Sequence, residues 1–337
     1  MWQDSETELD FLDYGYLVNS MESIIMNDDL LPACIGLYGD WGSGKSSLIR
    51  MCKKQIGQED EGAICLIFNG WLFESYDDAK SAILGEILDT LKDNTKLTDK
   101  GKKIIRGLFK SIDKLKLAGL ALQTGADFLL TGGVGATVSA MKSLTISTAL
   151  SGVSKAIPNI PEEQLTKTKE SIENELNYKD LRDDIREFQR QFAELLEDSK
   201  ISRLVVFIDE LDRCRPDTIL DTFEAIKLFL FTGKTAFVIG ADERQIRYAV
   251  KTKFADIPGQ ELDIGKEYLE KLVQYPIQIP RLDDTDVRNY LACLFLQQEL
   301  DKEKFNNFVE AFHKAQHEDF RKVDLYQIAK DKGIGSS

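Results

Sequence analysis

Apolar positions along this chain fall into short unbroken runs separated by amphipathic stretches. Cys34–Tyr38, Ala63–Phe68, "RLVVFID" and "TAFVIGAD" do not alternate, and Gly or acidic residues close them; this predicts strands buried on both faces. Helices are predicted from about Gly44, over 77–93, over 100–116, over Asp217–Phe231, from Glu243, and over about Glu261–Val273. "YPIQIP" reads as a further extended segment, and two helices run to about residue 317. Buried strands interleaved with helices predict an α/β fold with helices around a central parallel sheet.

One region departs from that rhythm. Pro161 is predicted to open a long helix, with Glu162 and Glu163 in its first turn, where the helix dipole favours acids. Leu181, Ile185, Phe188, Phe192 and Leu195 repeat at helical spacing. That stripe covers barely two heptads, so the core face of a packed helix is expected rather than a coiled coil. Before it, Lys116–Lys142 carries one charge between its end lysines, Asp127. The run resembles a membrane span.

Charge and cysteine usage narrow the function. The net charge of −14 argues against non-specific nucleic-acid binding, although Lys100–Lys116 is locally basic. Five widely spaced cysteines and only two histidines, His313 and His317, offer no zinc-site spacing. The acidic N-terminus lacks a signal-peptide pattern, and a cytoplasmic location is expected.

The chemistry concentrates in two strings. Gly39, Asp40, Trp41, Gly42, Ser43, Gly44, Lys45 and Ser46 fit G-x-x-x-x-G-K-[ST], followed by Ser47. An apolar strand before this string and an amphipathic helix after it are the context a phosphate-binding loop requires. Glycines turn backbone N–H groups onto phosphate oxygens, Lys45 reaches the β- and γ-phosphates, and Ser46 holds Mg²⁺. Such a loop needs a carboxylate at the end of a neighbouring strand, and "LVVFIDELD" supplies Asp209 as the Mg²⁺ partner. Glu210 is the expected general base, with Asp212 ranked second for that role. Asp242, closing "FVIGAD", is read either as a γ-phosphate sensor, with Arg244 beside it, or as a helix N-cap. ATP is preferred over GTP because no N-K-x-D follows the acidic strand, and "LSGVS" at Leu150 is not an LSGGQ signature.

"GLYGDWGSGKSSL", "FNGWLFE", "VVFIDELDRCRPD", "VIGADERQIR" and "YLEKLVQYPIQIP" occur in the order seen in KAP-type P-loop NTPases, which the chain resembles over about residues 8–300. The resemblance implies an additional-strand-catalytic-glutamate core: a five-stranded sheet with the phosphate-loop strand central, related to AAA+ and STAND ATPases. It assigns Asp209 to Mg²⁺, Glu210 to catalysis and Arg213-Cys214 to a signature tail. Asn69 and Trp71 match a motif of no derivable role, and Trp71 is expected to pack in the core. The resemblance also implies a place in bacterial defence, with partners among further copies of the chain or proteins of the same operon. An arginine from a neighbouring subunit is expected, with Arg203, Arg213, Arg244 and Arg281 as undecided candidates.

In many members transmembrane helices lie between the two motifs, where the apolar run falls. From Leu117 to Gly135 the strong apolar residues contribute about −3 kcal/mol towards insertion, and Asp127 costs roughly as much. A soluble small-residue insert is therefore preferred over membrane association. The expected organisation is a nucleotide-binding core over 1–100 and 200–283, a helical insert over 101–199 containing the apolar stretch 117–157, and a helical segment over 284–337. "KDKGIGSS" closes no recognisable domain, and a longer natural chain is expected.

Overall fold

The computed structural model describes residues 10–71, 79–94, 97–122, 178–229, 232–253 and 263–319. Five parallel strands form one sheet: β1 (Ala33–Tyr38), β2 (Ala63–Asn69), β3 (Arg203–Asp209), β4 (Thr235–Ala241) and β5 (Tyr275–Gln278). Their order is β2-β3-β4-β1-β5. The phosphate-loop strand β1 is thus interior but not central, and β4 takes the middle place. Nor do β1 and β3 touch. The strand carrying "VIGAD" lies between them, which is the additional strand implied above.

Ten helices accompany the sheet among the described residues: α1 (Gly15–Ile25), α2 (Lys45–Glu59), α3 (Ala79–Asn94), α4 (Asp99–Leu122), α5 (Tyr178–Asp198), α6 (Pro216–Phe229), α7 (Glu243–Lys253), α8 (Ile264–Leu272), α9 (Asp284–Glu299) and α10 (Lys302–Asp319). Successive strand residues point to opposite faces. Ile35, Leu37, Val205, Phe207 and Val238 accordingly pack with α1 and α2. Cys34, Leu204, Ile208, Phe237 and Ile239 join the opposite core, built with α3 to α8. Burial on both faces explains the lack of alternation in β1, β3 and β4.

The stripe on α5 is a core face. Phe188, Phe192 and Leu195 are fully buried. Phe192 meets Phe229 of α6 edge-on, with ring centroids 4.7 Å apart. The basic α4 contributes Ile105, Leu108 and Ile112 to the same core while Lys102, Lys103, Arg106 and Lys110 face solvent. The proposed start of a helix at Pro161 and most of the 117–157 stretch lie outside the described residues. Among those described, no helix is long and apolar enough to cross a membrane.

α9 and α10 form a smaller cluster around Cys293, Phe305, Phe308 and Phe312, into which Phe11 inserts from the N-terminal side. An Asp283–Asp286 capping box starts α9. Tyr14 Oη donates to the Pro280 carbonyl at 3.3 Å, so the segment before α1 also touches the chain beyond β5.

Candidate nucleotide site

In a parallel sheet all strands end on one edge, so the loops that follow them converge there. The loop after β1 runs from Gly39 to Gly44. Gly42 (φ 77°) and Gly44 (φ 92°) adopt left-handed backbone, which side chains disfavour. Gly44 caps α2, whose first helical residues are Lys45, Ser46 and Ser47. A Cβ on Gly39 would lie 2.4 Å from Ser43 Oγ, and that hydroxyl is buried without a hydrogen-bond partner among the described residues. An orphan donor inside a glycine-rich loop that leads into a helix N-terminus fits a phosphate ligand. The Lys45 ammonium donates to the carbonyls of Gly39 and Asp40, at 3.0 and 3.1 Å, and lies 3.9 Å from Asp212 Oδ2.

Asp209 ends β3 and is buried. Burial pushes its carboxyl above the usual carboxylate range, opposed by hydrogen bonds from the Ser46 hydroxyl and the Glu210 N–H and by the Lys45 charge. Ser46, at the start of α2 after β1, and Asp209, at the end of β3, thus meet although β1 and β3 are not neighbours. Gly240 makes this possible. A Cβ there would lie 3.1 Å from Asp209 Oδ1 and 2.9 Å from Ile49 Cδ1, so the bare β4 backbone leaves a passage from β3 to α2. One carboxylate and one hydroxyl are hard oxygen donors of the kind Mg²⁺ takes alongside water and phosphate oxygens.

Glu210 follows in left-handed backbone, φ 57°, an uncommon conformation for a side-chain-bearing residue. Its carboxylate is gripped from two sides: Asn69 Nδ2 donates to Oε2 at 2.7 Å, and Arg213 Nη1 lies 2.8 Å from Oε1. Asn69 sits opposite Asp209 in the β2–β3 register, and its own Oδ1 accepts from the Trp71 N–H at 2.9 Å. A Cβ on Gly70 would lie 3.0 Å from Leu211 Cα, which is why the β2 loop can close on the acidic one. Trp71, expected in the core, is instead 59% exposed, because the loop turns outward once Asn69 has been engaged.

Asp242 caps α7: its Oδ1 accepts from the Arg244 N–H at 2.9 Å, and the Arg244 side chain returns to both carboxylate oxygens. The Arg244 guanidinium holds the Asp242 carboxyl below its ordinary range. Arg203 leaves the set of candidate arginine fingers. It is buried at the opposite end of the sheet, where it donates to Asp60 at 2.7 Å and to the Ile25 carbonyl at 2.6 Å.

Residues 16–330 match the model of the KAP family P-loop domain. The chain belongs to the KAP family. An uncharacterized protein of Methanocaldococcus jannaschii is 30% identical over 181 residues, covering 50% of this chain and 86% of that protein. The phage T7 exclusion protein of Escherichia coli is 22% identical over 260 residues, covering 76% of this chain. That match spans 31% of the exclusion protein's length. As a P-loop domain the chain is a nucleotide-binding protein.

Two features of this KAP site escape sequence reasoning. Asn69 was visible as a motif residue, but its partner lies far along the chain. Gly240 carried a readable signal, a glycine inside a buried strand, which marks a close approach of some neighbour.

Proposed function

We propose that the chain is a Mg²⁺-dependent ATPase whose cycle drives a conformational switch in a bacterial defence or signalling assembly. The carrying observation is that Lys45, Ser46, Asp209 and Glu210 converge at one sheet edge. Lys45 and the loop N–H groups receive the β- and γ-phosphates. Ser46 and Asp209 hold Mg²⁺, directly or through water. When bound, Mg²⁺ neutralises charge developing on the phosphate oxygens. Glu210 takes the proton from the attacking water, and Asp212 balances the Lys45 charge across 3.9 Å. The missing N-K-x-D supports adenine, and the likeness to a phage exclusion protein supports the defence setting.

A second reading, a nucleotide-gated scaffold with little turnover, draws support from Glu210 being engaged on both oxygens by Asn69 and Arg213. Phosphate release measured with and without partner proteins separates the two. In the ATPase reading Lys45→Ala abolishes nucleotide binding, whereas Glu210→Gln still binds but turns over at least about a hundredfold more slowly. Undiminished hydrolysis by both variants would overturn it.

A further inference from the structure

An acid inside a loop that receives phosphate is unfavourable unless its charge is offset, and Asp40 is such an acid. The two strands flanking β1 each end by sending an arginine to it. Arg244, just beyond β4, places Nη2 2.6 Å from Asp40 Oδ1; Arg281, just beyond β5, places Nε 3.3 Å from Oδ2. Arg244 is anchored independently of Asp40, through a fork on Asp242 of 3.0 Å from Nε and 2.6 Å from Nη2. Both arginines are largely exposed, so their pairing with Asp40 is weak and open to competition. The Asp40 carbonyl accepts from the Lys45 ammonium. Lys45 is the group that reaches the terminal phosphates, so Asp40 stands at that end of the loop.

We infer that Arg244 and Arg281 bind the γ-phosphate and that Asp40 is the positioning residue that holds both guanidiniums at the loop until a triphosphate displaces it. The inference rests on reading this loop as an ATP site and adds what selects triphosphate over diphosphate. A γ-phosphate carries more charge than a carboxylate and offers more acceptor oxygens, so it wins the competition for Arg244 without breaking the Asp242 fork. A diphosphate has no group at that end of the loop and leaves the arginines on Asp40.

Calorimetric titrations with Mg²⁺ and either the β,γ-imido analogue of ATP or ADP test this. Arg244→Ala should weaken the triphosphate analogue about tenfold and ADP less than about twofold. Arg281→Ala should act in the same direction, by roughly threefold. Asp40→Asn should tighten the analogue more than ADP, and the gain should vanish when Arg244→Ala is added. Arg244→Lys, which keeps the charge but not the fork, should recover only part of the loss. If the wild-type protein binds both nucleotides and the variants leave the ratio of affinities unchanged, the inference fails while the site stands. If the wild type binds neither nucleotide, both fall.

Discussion

Asn69 and Glu210 end neighbouring strands and are joined by a 2.7 Å hydrogen bond from the Asn69 amide to Glu210 Oε2. The bond fixes the direction of a carboxylate that sits on left-handed backbone outside any helix or strand. Asn69→Ala is expected to lower kcat about tenfold with nucleotide affinity within about twofold, because an unaimed base loses part of its 10²–10⁴-fold contribution. Asn69→Asp, which sets a like charge against Glu210, should be worse. Steady-state phosphate release together with nucleotide titration reads both; a loss confined to KM would contradict the positioning role.

Gly240 lets Asp209 reach Ser46 across β4. Gly240→Ala puts a methyl group 3.1 Å from Asp209 Oδ1 and 2.9 Å from Ile49 Cδ1, so the Ile49 side chain must shift and the Asp209 carboxylate must yield. The expected cost is about 1–3 kcal/mol, with turnover falling further than stability alone accounts for. Urea denaturation and phosphate release on the same variant check it. A fully active, equally stable Ala variant would exclude the passage described here.

Phe192 lies in the region expected to be an insert, yet it is fully buried against Phe188 and Phe229. Phe192→Ala should destabilise the whole nucleotide domain by about 3–5 kcal/mol in a single transition. An unchanged melting temperature would mean that α5 folds apart from the sheet.

Glu22 of α1 faces Glu59 and Gln55 of α2. Burial, then the hydrogen bond with Glu59, raises its carboxyl above the ordinary range. As pH rises from the unfolded pKa towards the raised folded one, the unfolded chain ionises first, so folding stability falls across that window and stays lowered above it. Glu22→Gln removes this penalty. Its Tm should exceed the wild-type value at about pH 7 and converge with it near about pH 4, a comparison that scanning calorimetry can make.

Much was legible in the residues alone. Four of the strands, the phosphate loop with the helix it opens, and the acidic end of β3 announce themselves locally. Each depends on a run of neighbouring residues: apolar side chains, buried on two faces in β1, β3 and β4 but only partly covered in β2, which lies at the sheet edge, then glycines at positive φ and a lysine and hydroxyl at fixed offsets. The stripe Phe188, Phe192, Leu195 likewise disclosed a buried helix face, because helical periodicity is local.

What tertiary structure alone decided are relations between residues distant in the chain. Strand order is set by pairing, so the place of β4 between β1 and β3 had no signature in any one segment. The outward turn of Trp71 follows from Asn69 meeting Glu210, and the burial of Arg203 from Asp60 and the Ile25 carbonyl at the far sheet edge. Asp40 reads in the sequence as one more residue of the phosphate loop expected to line the nucleotide. Only the parallel sheet, which ends β4 and β5 on either side of β1, brings Arg244 and Arg281 to its carboxylate.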